Sequence, residues 1–358
     1  MSAVAEIVTM VVDGYALQGW QSVRVSRSVE AAAIAFSLDA TNPAWSAEAQ
    51  RIRESALVEI VTTPDGAIGS FLSGGGDLLC AGYVDVYSSS HGPGPSRRVA
   101  VQGRSKPADA IDCEPARHPT GCVEGQDLVG AAKSFDEWGL EFRSDVDLEK
   151  VPVIQRVPGE PLFGTLEREA RRQGLFLMGE PDGSVLMTRG PAGRAGGGLV
   201  EGQSPLRAFQ VHDSQRLAFS EVVVRGQQAL GTDDKALRQE ERAEDQSYGR
   251  RRPLVLFNEG SSPPEQLGAR AQWELRRRNG ARLTVMASVA TWRDDAGALW
   301  APRKRVFVHL PSEDISEDLA IQAVEFTQGV GEGEGAGTIA ELTLVRPDTL
   351  GDAEGAAG

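Results

Sequence analysis

The chain is patterned mostly for strands. In Trp20–Ser28 (WQSVRVSRS), Val23 and Val25 alternate with Arg24 and Ser26, the period of two expected where one face of a strand is buried. Glu6–Asp13 (EIVTMVVD) is rich in β-branched residues and runs into Asp13-Gly14, a hairpin-turn signal, with Tyr15–Gln18 beyond it. Ala32–Ala40 sets Ile34, Phe36 and Leu38 on one face. Leu57–Thr62, Leu78–Tyr87 and Arg98–Gly103 continue the pattern, with loops predicted at Gly74-Gly75-Gly76 and His91–Pro95. Strands at this spacing predict a small antiparallel barrel or sandwich over residues 1–105.

The pattern changes over residues 106–195. Gly125–Phe135 fits a helix with Asp127 as N-cap and Leu128, Ala132 and Phe135 on one face. Val151–Val157 reads as a strand, and Leu162–Arg172 as an amphipathic helix stopped near Gly174. Leu175–Met178 and Val185–Thr188 flank the turn Pro181-Asp182-Gly183 as a hairpin, giving a small mixed α/β domain. Gly190–Gly198 (GPAGRAGGG) reads as a linker.

A second β-region is predicted over 196–348. Its strands are Leu206–His212, Phe219–Gly226, Arg282–Trp292, Arg305–Leu310, Ala320–Thr327 and Thr338–Val345. An insertion at 228–280 interrupts it: polar Gln227–Tyr248 as an exposed loop, then a helix at Glu265–Arg278 after Pro263-Pro264. Gly329–Gly337 reads as a flexible loop, and the tail from Asp348 (residues 349–358 as a domain boundary) as frayed. The fold class is therefore α+β and β-dominated: two antiparallel β-barrel domains, a small mixed insert domain and a helix-containing C-terminal part. The two β-regions share a pattern but no obvious sequence.

Composition narrows the function classes. With 358 residues the chain has room for two to three domains. Forty-one glycines and 19 prolines imply many turns. A net charge of −14 repels nucleic acid on average, although an acidic wall suits a channel through which DNA slides. Three cysteines, Cys80, Cys113 and Cys122, do not make a disulfide framework and agree with cytoplasmic synthesis. Met1–Val12 contains Glu6 and no basic n-region, and no apolar run reaches membrane-spanning length, so neither a signal peptide nor a membrane partner is expected.

Candidate chemistry is sparse. The four histidines are His91, His118, His212 and His309, and no G-x-S-x-G elbow is present to anchor a Ser-His-Asp hydrolase. Cys113-x4-His118-x3-Cys122 is the best metal-ligand candidate, with Asp112 or Glu124 to complete it; its spacing is not that of a zinc knuckle, and a polar loop explains the same residues. Gly103-Arg104-Ser105-Lys106 lacks the earlier glycine of a phosphate-binding loop. Arg250-Arg251-Arg252 and Arg276-Arg277-Arg278 lack interleaved aromatics and suit a solvated helix end or a salt bridge better than nucleic acid. No catalytic residue and no cofactor is assigned. The stretch 154–188 resembles a LysM unit, which leaves a cell-wall (peptidoglycan) binding or degrading protein as the alternative reading.

Several stretches, taken in order, resemble the Mu-like phage baseplate hub proteins, also called the phage tail P protein family. They are Val8–Leu38, Val101–Cys113 (VQGRSKPADAIDC), Gln155–Leu177, Leu199–Gly202, Phe219–Gln227 (FSEVVVRGQ), Trp273, Trp292–Trp300 and Gly337–Pro347 (GTIAELTLVRP). Pro107 departs from the hydroxyl or polar residue usual there, and the Cys113–Gln126 segment is long. The resemblance implies a structural, non-enzymatic hub of a contractile tail, located in the virion. It implies a homotrimeric ring of two similar barrels per chain that joins a six-fold tail tube, or a distal tube-adaptor protein, to a three-fold central spike. DNA would pass through its channel without sequence-specific binding. The particle could be a phage, a prophage or a tail-like bacteriocin.

Overall fold

The computed structural model describes residues 6–41, 51–64, 76–92, 97–216, 218–227, 239–246, 248–261, 264–329 and 337–351. The expected loop residues 74–75, 93–95 and 330–336, and the tail from 352, lie outside these.

The N-terminal β-region comprises β1 (Glu6–Val12), β2 (Tyr15–Leu17), β3 (Ser22–Ser28), β4 (Ala35–Thr41), β5 (Leu57–Pro64), β6 (Asp77–His91) and β7 (Arg97–Ser105). Alternation decides which face each strand buries: Val23, Val25, Phe36, Leu38, Val99 and Val101 are all buried while their neighbours along the strand face out. The middle of the chain holds α1 (Ala108–Asp112), β8 (Cys122–Gln126), α2 (Leu128–Phe135), β9 (Phe142–Ser144), β10 (Val151–Gln155), α3 (Leu162–Arg172), β11 (Phe176–Gly179) and β12 (Val185–Thr188). Asp127 caps α2 as expected, its carboxylate accepting from Gly130 N at 2.7 Å. At the end of α3, Gly174 takes φ +66°, and Leu175 N donates to Ala170 O at 2.8 Å. The apolar faces of α2 and α3 meet the three-stranded sheet β11-β12-β9 in a core of their own.

The C-terminal part contains β13 (Arg194–Val200), β14 (Leu206–Asp213), β15 (Glu221–Gln227), β16 (Gln239–Glu244), β17 (Pro253–Ser261), α4 (Pro264–Gly280), β18 (Leu283–Val289), β19 (Arg305–Leu310), β20 (Ile315–Gly329) and β21 (Gly337–Val345). Three expectations are corrected here. The glycine-rich linker is largely strand: β13 pairs in parallel with β19, and its glycines let the backbones approach, Gly198 sitting against Phe307. Part of the expected polar loop, Gln239–Glu244, is β16, which takes its backbone partners from β15 although it buries few side chains. The tail is not frayed from Asp348: Thr349 and Leu350 are buried, Leu350 beside Phe176 and Val345. Strands β16-β15-β17 form a separate sheet covered by α4 through Leu267, Ala271 and Leu275.

The two β-regions are topological repeats. In the first, the sheet order is β5-β6-β7-β4-β3, and in the second β19-β20-β21-β18-β14, with the same chain order and antiparallel pairing throughout both. The corner strands β6 and β20 each have 15 residues. Each carries a register shift against its neighbour, at Val84/Val86 and at Ile321/Ala323. Even a left-handed residue recurs. Ser55 (φ 69°) donates its N–H to Val84 O, and Arg303 (φ 72°) donates to Ile321 O, both at 2.7 Å. The β15–α4 unit is inserted where the first repeat has the short β3–β4 connection.

Among the described residues neither repeat closes into the barrel of its own that the two-barrel expectation required. The repeats are fused through β3 and β20, which pair antiparallel from Ala323↔Ser28 to Gly329↔Ser22. Among the described residues one 13-stranded sheet results, its hydrogen-bonded path open at β14 and β2, and one apolar core runs beneath both halves.

Candidate assembly surface

The face of the fused sheet turned away from the core is built largely from polar and charged side chains. Because alternate residues face opposite ways, burying Val23, Val25, Phe36 and Leu38 turns Ser22, Arg24, Ser26 and Ser37 outward together. Where β3, β4, β6, β7, β20 and β21 run side by side, this face is concave and encloses a groove of about 990 Å3. Four carboxylates line it, Asp39, Asp85, Glu325 and Glu341, against two guanidiniums, Arg24 and Arg104.

Both guanidiniums are engaged. Arg24 Nε lies 3.2 Å from Glu325 Oε1 across the β3–β20 junction. Arg104 reaches Asp85 Oδ2 at 2.8 Å with Nε and Asp112 Oδ2 at 2.7 Å with Nη2. The hydrogen bond from Arg104 holds the Asp112 carboxyl below its ordinary range. Ser22 Oγ donates to Asp39 Oδ2 at 2.7 Å. Among the described residues of the groove wall, each guanidinium is therefore already paired with a carboxylate.

The same sheet ends in open edges. On β6, pairing with β5 stops at Tyr83, so the stretch from Asp85 to His91 carries β7 on one side and, among the described residues, no strand on the other. On β14, one side pairs with β18 and the other, among the described residues, is open. An unpaired row of backbone donors and acceptors is a template for another strand.

The residues singled out from sequence fall elsewhere. Cys113 is the exposed C-cap of α1, Cys122 lies on β8, and both are free thiols, as is buried Cys80. His118 Nδ1 accepts from Gly121 N at 3.0 Å, its Nε2 lies 3.3 Å from Ser134 Oγ, and its ring packs edge-on against Phe135. Among the described residues no group of three or more His, Cys, Asp or Glu side chains is placed to hold a metal ion. In the arginine runs, Arg277 pairs with Glu30 at 2.6 Å and Arg278 with Glu274 at 3.0 Å, while Arg251 lies 3.6 Å from Glu221. His309 sits 3.2 Å from Ser316 Oγ on the neighbouring strand. In the 154–188 stretch, the turn between β11 and β12 is docked on the first β-region, Pro181 O accepting from Ala81 N at 2.7 Å. Among the described residues no helix is long and apolar enough to cross a membrane. Sequence reasoning found the strands but missed the groove and the edges, because both depend on which strands pair.

The fold is shared with solved phage-tail structures. The 43 kDa tail protein of prophage MuSo2 from Shewanella oneidensis is 26% identical, with 97% of this chain and 100% of that one covered and a TM-score of 0.81. The tail protein from Neisseria meningitidis MC58 shares the fold at 19% identity, over 97% of this chain and 98% of that one, with a TM-score of 0.77. This is the architecture of a phage tail protein. The baseplate hub protein gp44 of Escherichia phage Mu is 27% identical over 314 residues, covering 84% of this chain and 78% of that protein. Residues 7–105 match the family described as Mu phage baseplate assembly protein GpP-like, N-terminal, and residues 264–353 match Mu phage baseplate assembly protein GpP, fourth domain. The chain belongs to this Mu phage baseplate family, and its role is a structural one in the virion tail.

Proposed function

We propose that the protein is the hub of a contractile-tail baseplate: a non-enzymatic homotrimer, assembled in the host cytoplasm, whose three chains form a ring. Each chain supplies two β-domains of the same strand order, 1–105 and 196–348, so six similar units surround a central channel. The six units meet the tail tube or a distal tube-adaptor protein above, and the three-fold symmetry of the chains meets the central spike below. The mixed domain, 106–195, lies between the two units in sequence.

The observation that carries this reading is the repeat itself. Two units of the same strand order, fused side by side through β3 and β20, are what a ring with twice as many units as chains requires. The concave polar face is the channel wall in this reading. Its four carboxylates and two engaged guanidiniums give DNA no adhesive patch, so DNA passes without sequence-specific binding.

Light scattering of the purified chain tests the ring. Three copies are expected at micromolar concentration, and a strict monomer there argues against the hub.

A further inference from the structure

We infer that the ring closes by repeating, between copies, the strand junction already present within one chain: β14 of one copy pairs antiparallel with the free stretch of β6 of the next. This inference rests on the ring reading above and names its interface.

The two junctions are equivalent in the repeat. Within the chain, β3 of the first repeat pairs with the outer half of β20 of the second. The topological equivalent of β3 is β14, and that of β20 is β6, fixed by the shared strand order and by the matching register shifts at Val84/Val86 and Ile321/Ala323. The same junction, made a second time, therefore needs a β14 and a β6 edge. Both exist, both are unpaired on the required side among the described residues, and they lie at opposite ends of the repeat pair. One chain cannot use both on itself without closing on its own two units, so the partner is a second copy. The contact is head-to-tail, and repeating it alternates first and second repeats around a ring.

Exposure follows the same equivalence. Val23 and Val25 of β3 are buried beneath β20, at 2% and 0% exposure. Their equivalents, Phe209 and Val211 of β14, pack on the same core but stay only partly buried. On the other edge, Val324 and Phe326 of β20 are buried, whereas β6 is exposed from Ser88 to His91. These are the positions a neighbouring strand would cover.

The equivalence also fixes the register. Thr327 stands opposite Arg24 and Glu325 opposite Ser26 in the internal junction. Transferred to the interface, Ser90 of one copy stands opposite Gln210 of the next, and Ser88 opposite His212. All four side chains are exposed on the channel-facing side, so changing them leaves the monomer's core intact.

The test uses the full chain carrying Cys113→Ser and Cys122→Ser. With Ser90→Cys and Gln210→Cys added, diamide oxidation is expected to give covalent species up to three copies on a denaturing gel, with no ladder from either cysteine alone. Ser90→Asp with Gln210→Asp is expected to be monomeric by native mass spectrometry with an unchanged far-UV circular dichroism spectrum. Ser90→Lys with Gln210→Asp is expected to restore the ring. A ring that persists in the double aspartate variant, together with no cross-linking in the double cysteine variant, overturns this interface while leaving the ring itself standing. A parent chain that stays monomeric overturns the ring reading instead.

Discussion

Arg293 and Glu6 tie the first strand of the chain to its C-terminal repeat. Arg293 Nε lies 2.7 Å from Glu6 Oε1, and the Glu6 side chain is 1% exposed. Thr62 Oγ1 also donates to Glu6, and Arg293 Nη1 reaches Asp77 at 2.6 Å, so the pair fastens β1 and the start of β6 to the connection after β18. Removing one member of a buried pair strands the other. Glu6→Ala is expected to cost about 3 kcal/mol, read as a lowered denaturation midpoint, and Glu6→Ala with Arg293→Met to recover part of that loss. Equal stability of Glu6→Ala and the parent would show that the lock is not closed.

Cys80 offers a chemical probe of the same region. Burial pushes its thiol up to about 12, against the opposing pull of nearby Arg27. The thiolate is the reactive form, so Cys80 is expected to resist iodoacetamide near neutral pH while exposed Cys113 reacts. Mass spectrometry of the modified chain checks this, and denaturant is expected to abolish the difference.

The strands were largely legible in the sequence and the surfaces were not. Val23 and Val25 alternate with Arg24 and Ser26, so β3 could be read directly. β16 (QEERAE) carries no such signal, because its pairing with β15, not apolar burial, holds it extended. β13 hides behind its glycines, which read as a linker but allow close strand packing. The repeat leaves no sequence trace: Val23 and Val25 correspond to Phe209 and Val211, and only the shared strand order reveals it. The groove is further from view, since Arg24 meets Glu325 across some three hundred residues.

Acid is expected to weaken a contact between β13 and β20. Asp318 is held below its ordinary range by the hydrogen bond from Arg194, whose Nη2 lies 2.6 Å away. A carboxyl depressed in the folded state stabilises above its unfolded value and loses that contribution as pH falls through the folded value. Both groups are largely exposed, so screening limits the effect to about 0.5 kcal/mol. Urea midpoints of Asp318→Asn should fall below those of the parent near neutral pH and converge with them in strong acid. A gap that persists there would assign the loss to packing.

The groove face, proposed above as a channel wall, gives an expectation about DNA. Neutralising its acids through Asp39→Asn, Asp85→Asn, Glu325→Gln and Glu341→Gln leaves Arg24 and Arg104 without their neighbouring groove charges. That variant is expected to be retained on phosphocellulose at low salt and released as salt rises, while the parent flows through. Equal elution would mean that these acids do not set the face's affinity for phosphate.

The proposed ring, three chains giving six similar units around a channel, is tested most directly by electron-microscopic class averages of the purified full chain. The expected image is a closed ring with three-fold symmetry, six density lobes and a central hole lined by the Arg24–Glu325 face. Single particles of one chain's mass, or open filaments, would contradict it.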